Sequence, residues 1–152
     1  MARLSSVELD IFLTSASPDQ RAIVRTLRDI ISRRAGDLAE RVNKDKELTG
    51  YLLFEGPGDR LVFAIGLTGA RTVTLHLMPY QGSPELQDRY GAAFGPFQVG
   101  KDRLRFADPA ELPVDAIGAV AEATPGYLGA AAAAATAPGR PRRWGRRRQA
   151  DG

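Results

Sequence analysis

The sequence contains no cysteine, and His76 is its one histidine. The first absence excludes disulfide bonds, thiolate metal sites and cysteine nucleophiles. No apolar run approaches the roughly 20 residues that a helix needs to span a bilayer. The first residues also lack the basic, apolar and small-residue order of a secretory signal. We therefore expect a soluble, cytoplasmic protein.

The common catalytic motifs are missing as well. We find no nucleophile elbow, no zinc-protease helix and no carboxylate dyad. The Gly-Pro-Gly segment at residues 56–58 is typical of a turn, because no helix that opens with Lys-Ser or Lys-Thr follows it. The sequence therefore predicts a protein that is not an enzyme.

The charge is unevenly distributed. The chain has 21 Lys and Arg against 18 Asp and Glu, but six of the arginines lie in residues 140–152. Without that segment, which also holds Asp151, 15 basic and 17 acidic residues remain. A basic surface that covers the whole protein, as in many nucleic-acid-binding domains, is not indicated.

The clearest structural signal is a β-hairpin. Apolar and other residues alternate over residues 60–67 and again over 72–78, on either side of a short connection that contains Gly69. Period-two alternation on both sides of a Gly-containing turn is typical of two antiparallel strands with one buried face. Such a pair is not stable alone, so helices must cover its apolar face.

The remaining segments supply those helices and further strands. Ser5 and Ser17 each begin a capping box, and Ser83 precedes a proline in the same way. The predicted elements are helices after Ser5 and Ser17, an edge strand or loop over 37–46, a strand over 48–54, a helix over 83–95, a strand over 101–106 and a helix over 113–123 that is stopped at 125–126. We predict an α+β two-layer sandwich: an antiparallel sheet with helices packed on one face.

The predicted domain covers residues 1–128. Residues 129–139 are nearly all Ala and Gly, and residues 140–148 read RPRRWGRRR. A segment without apolar periodicity cannot repay its ordering entropy, so we predict that residues 129–152 are disordered. Six successive alanines favour helix, but so short a run is marginal in water.

Several strings resemble the YdhG-like domain family. They are FL at residues 12–13, PDQR at 18–21, LRDII at 27–31, VTLHLMP at 73–79, GKDRLRF at 100–106 and LPVDAI at 112–117. The resemblance covers about residues 5–128, and the GKDRLRF string is its most specific part. It implies a small bacterial domain, related to frataxin-like proteins, with helices on one face of an antiparallel sheet.

The same resemblance implies iron carriage as one possible function, because some family members are described as iron chaperones. The carboxylates near the first predicted strand would then be involved; they are Asp37, Glu40, Asp45 and Glu47. They are interleaved with Arg41, Lys44 and Lys46, which does not favour a site for a hard cation. The residues themselves indicate no cofactor and no metal ligand set.

The polar face of the predicted sheet is the candidate binding site. We expect it to carry His76, Thr72, Thr74, Lys101, Arg103 and Arg105. Ala64 and Gly66 would leave a shallow depression between these larger side chains. Hydroxyls, an imidazole and guanidinium groups around small residues suit a carboxylate or phosphate group. A sheet face that is merely solvated, with a histidine that merely titrates, would have the same pattern.

The predicted partners follow from these surfaces. The sheet face could bind a small anionic ligand or the acidic surface of a protein. Alternatively, the sheet face or an edge strand could bind a protein partner or a second copy of the chain, which would make a homodimer instead of a monomer. The arginine-rich tail, with Trp144 available for stacking, could make weak nonspecific contact with nucleic acid.

Overall fold

The computed structural model describes residues 2–43 and 50–136 of the chain. Its helices and strands, in chain order, are α1 (Ser6–Phe12), α2 (Pro18–Arg34), β1 (Ala39–Asn43), β2 (Tyr51–Gly56), β3 (Arg60–Thr68), β4 (Thr72–Leu77), α3 (Met78–Gln81), α4 (Pro84–Phe94), β5 (Arg103–Phe106), α5 (Val114–Glu122) and α6 (Thr124–Thr136).

Within the described residues the strands form one five-stranded antiparallel sheet in the order β1-β2-β3-β4-β5. The predicted hairpin is its centre, since β3 and β4 pair over their length and Gly69 has the positive φ of 70° that their connection needs. The predicted edge strand and the predicted return of residues 101–106 to the sheet are confirmed as β1 and β5.

The helix starts follow the local sequence. Ser5 pairs with Glu8, and Ser17 with Gln20, in complete capping boxes at the starts of α1 and α2. The end of α2 is also determined by the local sequence. Gly36 follows it with a φ of 91°, which side-chain-bearing residues rarely adopt.

Helix α2 contacts β3 and β4, and α3 contacts β3, on one face of the sheet; α5 packs against α2, α3 and α4 in the same layer. The core between the layers is formed by alternate strand residues and by the apolar stripes of the helices. Its largest fully buried side chains are Phe54, Phe63, Phe94, Phe106, Leu13, Ile23, Leu27, Ile31, Leu52, Ile65, Leu75 and Leu77. The predicted α+β two-layer sandwich is confirmed.

Both edges of the sheet have an additional backbone partner. At β1 the amide of Glu40 donates a hydrogen bond to the carbonyl of Ala2, at 2.8 Å. At β5 the carbonyl of Arg103 accepts a hydrogen bond from the amide of Val99, at 3.0 Å. Each edge therefore offers fewer free backbone groups to a second chain than a bare strand would.

Two features of the fold differ from the sequence prediction. The strand predicted to close at Pro79 ends at Leu77, and the short helix α3 follows it. The helix predicted over 113–123 ends as expected, as α5 at Glu122, but a further helix, α6, begins at Thr124 with Pro125 and Gly126 in its first turn, where the missing N–H of a proline is tolerated. Within the described residues, no helix has the length and apolarity needed to cross a bilayer.

The predicted domain boundary at residue 128 falls inside α6. Helix α6 extends into the predicted tail as far as Thr136. Residues 137–152 of the predicted tail lie outside the described residues.

Candidate functional site

The sheet face opposite the helices, here called the open face, is built from two cross-strand rows. The first row is Arg41, Leu53, Ala64, His76 and Arg103, each paired with the next across neighbouring strands. The second row is Asn43, Tyr51, Gly66, Thr74 and Arg105. Neither Leu53 nor Ala64 belongs to the core cluster beneath the helices, although both are buried.

The depression predicted at Ala64 and Gly66 is filled. Carbon atoms of the Tyr51 ring lie so close to Gly66 that a Cβ at this position would collide with them. The ring carbons are nearer than the phenol oxygen, so the ring lies across Gly66 and does not point at it. An aromatic side chain that covers a strand glycine on the neighbouring strand is a known way of stabilising a sheet.

His76 lies between Tyr51 and Asp102. Its Nε2 atom is 3.4 Å from the Tyr51 hydroxyl, and the two rings meet edge to face with centroids 5.4 Å apart. Its Nδ1 atom is 3.7 Å from a carboxylate oxygen of Asp102. The His76 side chain is 19% exposed, so the prediction of a histidine facing solvent holds only in part.

These surroundings shift the proton equilibrium of His76. Burial of the imidazole lowers its pKa below the usual 6.5, and the positive charge of Arg103 lowers it further. The carboxylate of Asp102 acts in the opposite direction but does not cancel the effect of burial. His76 is therefore neutral at pH 7, and its pKa would rise if an anion bound beside it.

Arg103 and Arg105 are exposed on the open face, one row apart on β5. Within the described residues neither guanidinium group forms an ion pair. Arg41, at the opposite side of the sheet, differs because its guanidinium group binds both carboxylate oxygens of Glu55, at 2.8 and 3.2 Å. The exposed arginines of the open face that form no ion pair within the described residues therefore lie on its β5 side, near the carboxylate of Asp102.

The predicted threonines are already engaged with one another. The Thr68 hydroxyl lies 2.8 Å from the Thr74 hydroxyl and 3.1 Å from that of Thr72, and the Thr72 hydroxyl also donates to the Thr68 carbonyl. Thr74 is buried. These hydroxyls stabilise the end of the hairpin and leave little hydrogen-bonding capacity for a ligand.

Lys101 does not join the other predicted residues. It precedes β5 and lines a separate cleft of about 410 Å³ together with Tyr80, Gln81, Gln87 and Gln98. The prediction extended the strand alternation two residues too far. The structure thus brings His76, Arg103 and Arg105 together, and adds Tyr51 and Asp102 to them.

The carboxylates considered for iron do not form a site in the described part of the chain. The buried Glu40 faces the helices and binds Arg3 and Arg28. Asp45 and Glu47 lie outside the described residues, as do Lys44 and Lys46. No group of three or more His, Cys, Asp or Glu side chains in residues 2–43 and 50–136 is arranged to hold a metal ion.

Comparisons with protein-family models, with curated proteins and with solved structures find no match for this chain. The resemblance to the YdhG-like family therefore stays a prediction.

Proposed function

We propose that the chain is a non-enzymatic binding module of YdhG-like type that holds an anionic group on the β5 side of its open face. The observation that carries this proposal is the pair of exposed guanidinium groups on Arg103 and Arg105, which lack an ion-pair partner within the described residues. A guanidinium group donates hydrogen bonds in a planar fork that matches carboxylate and phosphate oxygens.

The position of His76 supports the same ligand class. The imidazole is directly paired with Arg103 across β4 and β5, and an incoming anion would favour its protonated form. A third positive charge would then act on the ligand. In the part of the chain that the structure describes, the open face is a sheet surface without a deep enclosure, so we expect binding that is modest in strength and sensitive to salt.

Inorganic phosphate is the simplest probe. At a hundred times its Kd, a bound ligand stabilises a folded protein by about 2.7 kcal/mol, which is readily detected in a thermal melt. We expect phosphate to raise the Tm of the wild-type chain relative to chloride at equal ionic strength. The double variant Arg103→Gln/Arg105→Gln should lose this increase.

The matched control removes the same charge from the helical layer. Arg25 and Arg33 are exposed on α2, where they pair with Asp10 and Asp29. The variant Arg25→Gln/Arg33→Gln should keep the response to phosphate. An absent response in the wild type, or an equal response in both double variants, would refute the proposal.

A further inference from the structure

The open face combines its cationic side with an aromatic ring. Tyr51 is half-buried and lies across Gly66, with the sheet beneath it and the edge of His76 beside it. These contacts fix the ring in place from below and from one side. Within the described residues the side chain stays partly exposed, so a planar group could stack on it without first ordering the tyrosine.

The distance from this ring to the arginines sets the size of a ligand that could use both. The ring covers β3, whereas Arg103 and Arg105 start from β5, two strands away. Neighbouring strands lie about 4.8 Å apart, so the separation across the sheet is about 10 Å. The Arg103 guanidinium lies against Gly100 and not over the ring. A ligand would therefore have to span most of this separation, which is comparable to the length of a nucleoside monophosphate from base to phosphate.

We infer that the anionic ligand of the open face is a nucleotide, whose base stacks on Tyr51 while its phosphate binds Arg103 and Arg105. The inference rests on the proposed function, because it assigns a chemical class to the anion at that same face. Stacking of a base on an aromatic ring combined with cationic contacts to phosphate is how many sheet surfaces bind nucleotide units.

The charge of the molecule favours a single nucleotide over a long strand. Outside residues 140–152 the chain has 15 basic and 17 acidic residues, so this part of the protein gives a polyanion no general attraction; the six arginines of residues 140–152 are a separate cationic segment. One aromatic ring and two guanidinium groups can bind one base and one phosphate. A nucleotide within a single strand of nucleic acid would make the same contacts. Titration with an oligoadenylate distinguishes it from a free nucleotide.

The test is isothermal titration of the full chain with four probes: inorganic phosphate, adenosine, AMP and a short oligoadenylate. We expect AMP to bind about tenfold more tightly than phosphate, because this is the typical gain in affinity from stacking one base on one aromatic ring. The variant Tyr51→Leu should bring the ratio of the AMP and phosphate affinities to about one. The variant Tyr51→Phe keeps the ring and should retain the preference for AMP.

The outcomes separate this inference from the proposed function. Equal affinity for AMP and phosphate, unaffected by Tyr51→Leu, would overturn the nucleotide assignment and leave anion binding intact. Failure of both probes to bind would overturn both. If the oligoadenylate binds more tightly than AMP on a per-nucleotide basis and loses that advantage in Tyr51→Leu, the nucleotide belongs to a strand.

A measurement on the wild-type chain covers the case in which Tyr51→Leu does not fold. A stacked base shifts the proton resonances of the tyrosine ring by its ring current. Addition of AMP, but not of phosphate, should therefore shift the Tyr51 ring signals in an NMR spectrum. Unshifted Tyr51 signals at saturating AMP would overturn the inference.

Discussion

At the scale of single residues, Glu40 connects three segments of the chain. Its carboxylate accepts hydrogen bonds from the Leu4 amide at 3.1 Å and from Arg28 at 2.8 Å, and it forms an ion pair with Arg3 at 3.3 Å. Burial alone would raise the pKa of this carboxyl. The hydrogen bonds from Arg28 and Leu4 and the charges of Arg28 and Arg3 together outweigh burial, so the pKa lies below 4.5.

We predict that Glu40→Gln destabilises the fold by about 3 kcal/mol at pH 7, because it leaves Arg28 without its buried partner. Urea denaturation measures the change. The control Asp10→Asn breaks an exposed ion pair with Arg25 and should cost less than about 1 kcal/mol. Equal costs for both variants would contradict the role assigned to Glu40.

The pH dependence of the Glu40 effect has a defined sign. A carboxyl whose folded-state pKa is lowered gives its full stabilisation above its unfolded pKa and loses it as the pH falls through the folded value. The difference in stability between wild type and Glu40→Gln should therefore be constant above pH 4.5 and decrease below it.

His76 allows a direct test of the open-face electrostatics, because a single histidine gives a single imidazole signal in an NMR titration. We predict an apparent pKa below 6.5, raised by Arg103→Gln and lowered further by Asp102→Asn. For a histidine with a lowered folded-state pKa, stability is greatest above pH 6.5 and falls as the pH decreases through the folded value. A lowered pKa in Arg103→Gln, or a raised pKa in Asp102→Asn, would show that the groups around His76 have been assigned incorrectly.

At the scale of elements, the sequence predicted what depends on neighbours along the chain. The β3–β4 hairpin follows from alternation and a glycine turn, and the starts of α1, α2 and α4 follow from their serine caps. The interpretation was incomplete where the structure depends on contacts between residues that are distant along the chain. The register that sets Tyr51 opposite Gly66 depends on an irregularity between Phe54 and Glu55, which no local pattern signals.

Helix α6 is a second element that depends on contacts between residues distant along the chain. Its alanines favour helix, but so short a run has little stability in water. Two contacts with the β2–β3 turn fix its first turns. The Tyr127 hydroxyl donates to the Leu61 carbonyl at 3.3 Å, and the Leu128 side chain lies against Gly56. The sequence places these partners more than sixty residues apart, so the helix was predicted as part of a tail.

We predict that Leu128→Ala destabilises α6 selectively. Removing this partly buried side chain should cost about 1–2 kcal/mol, less than a fully buried leucine would. Hydrogen exchange measures the effect, and the amides of residues 128–134 should lose more protection than those of α2. The control Val7→Ala shortens an apolar side chain that is 64% exposed on α1 and should leave exchange unchanged. Uniform loss of protection across the chain would contradict this account.

At the scale of the whole molecule, the two faces of the sheet differ in what they require. The helix-covered face needs apolar side chains of fixed shape, whereas the open face combines packed positions at its centre, such as Leu53 and Ala64, with exposed ones, such as Arg103 and Arg105. The alternation in the sequence predicted which residues share a face, and so placed His76, Arg103 and Arg105 together. It did not reveal that Tyr51 fills the space above Gly66, because that contact depends on how β2 pairs with β3.

Strand β5 allows the difference between the faces to be measured on adjacent residues. Leu104 is almost fully buried under the helices, while Arg105 is exposed on the open face. We predict that Leu104→Ala lowers the free energy of unfolding by about 2–5 kcal/mol, as buried leucine truncations do. Arg105→Ala should change it by less than about 0.5 kcal/mol, because no packing is lost. Urea denaturation measures both changes, provided that the m-values stay the same. A cost for Arg105→Ala close to that of Leu104→Ala would mean that the open face is covered. The surface on which both proposals depend would then not exist.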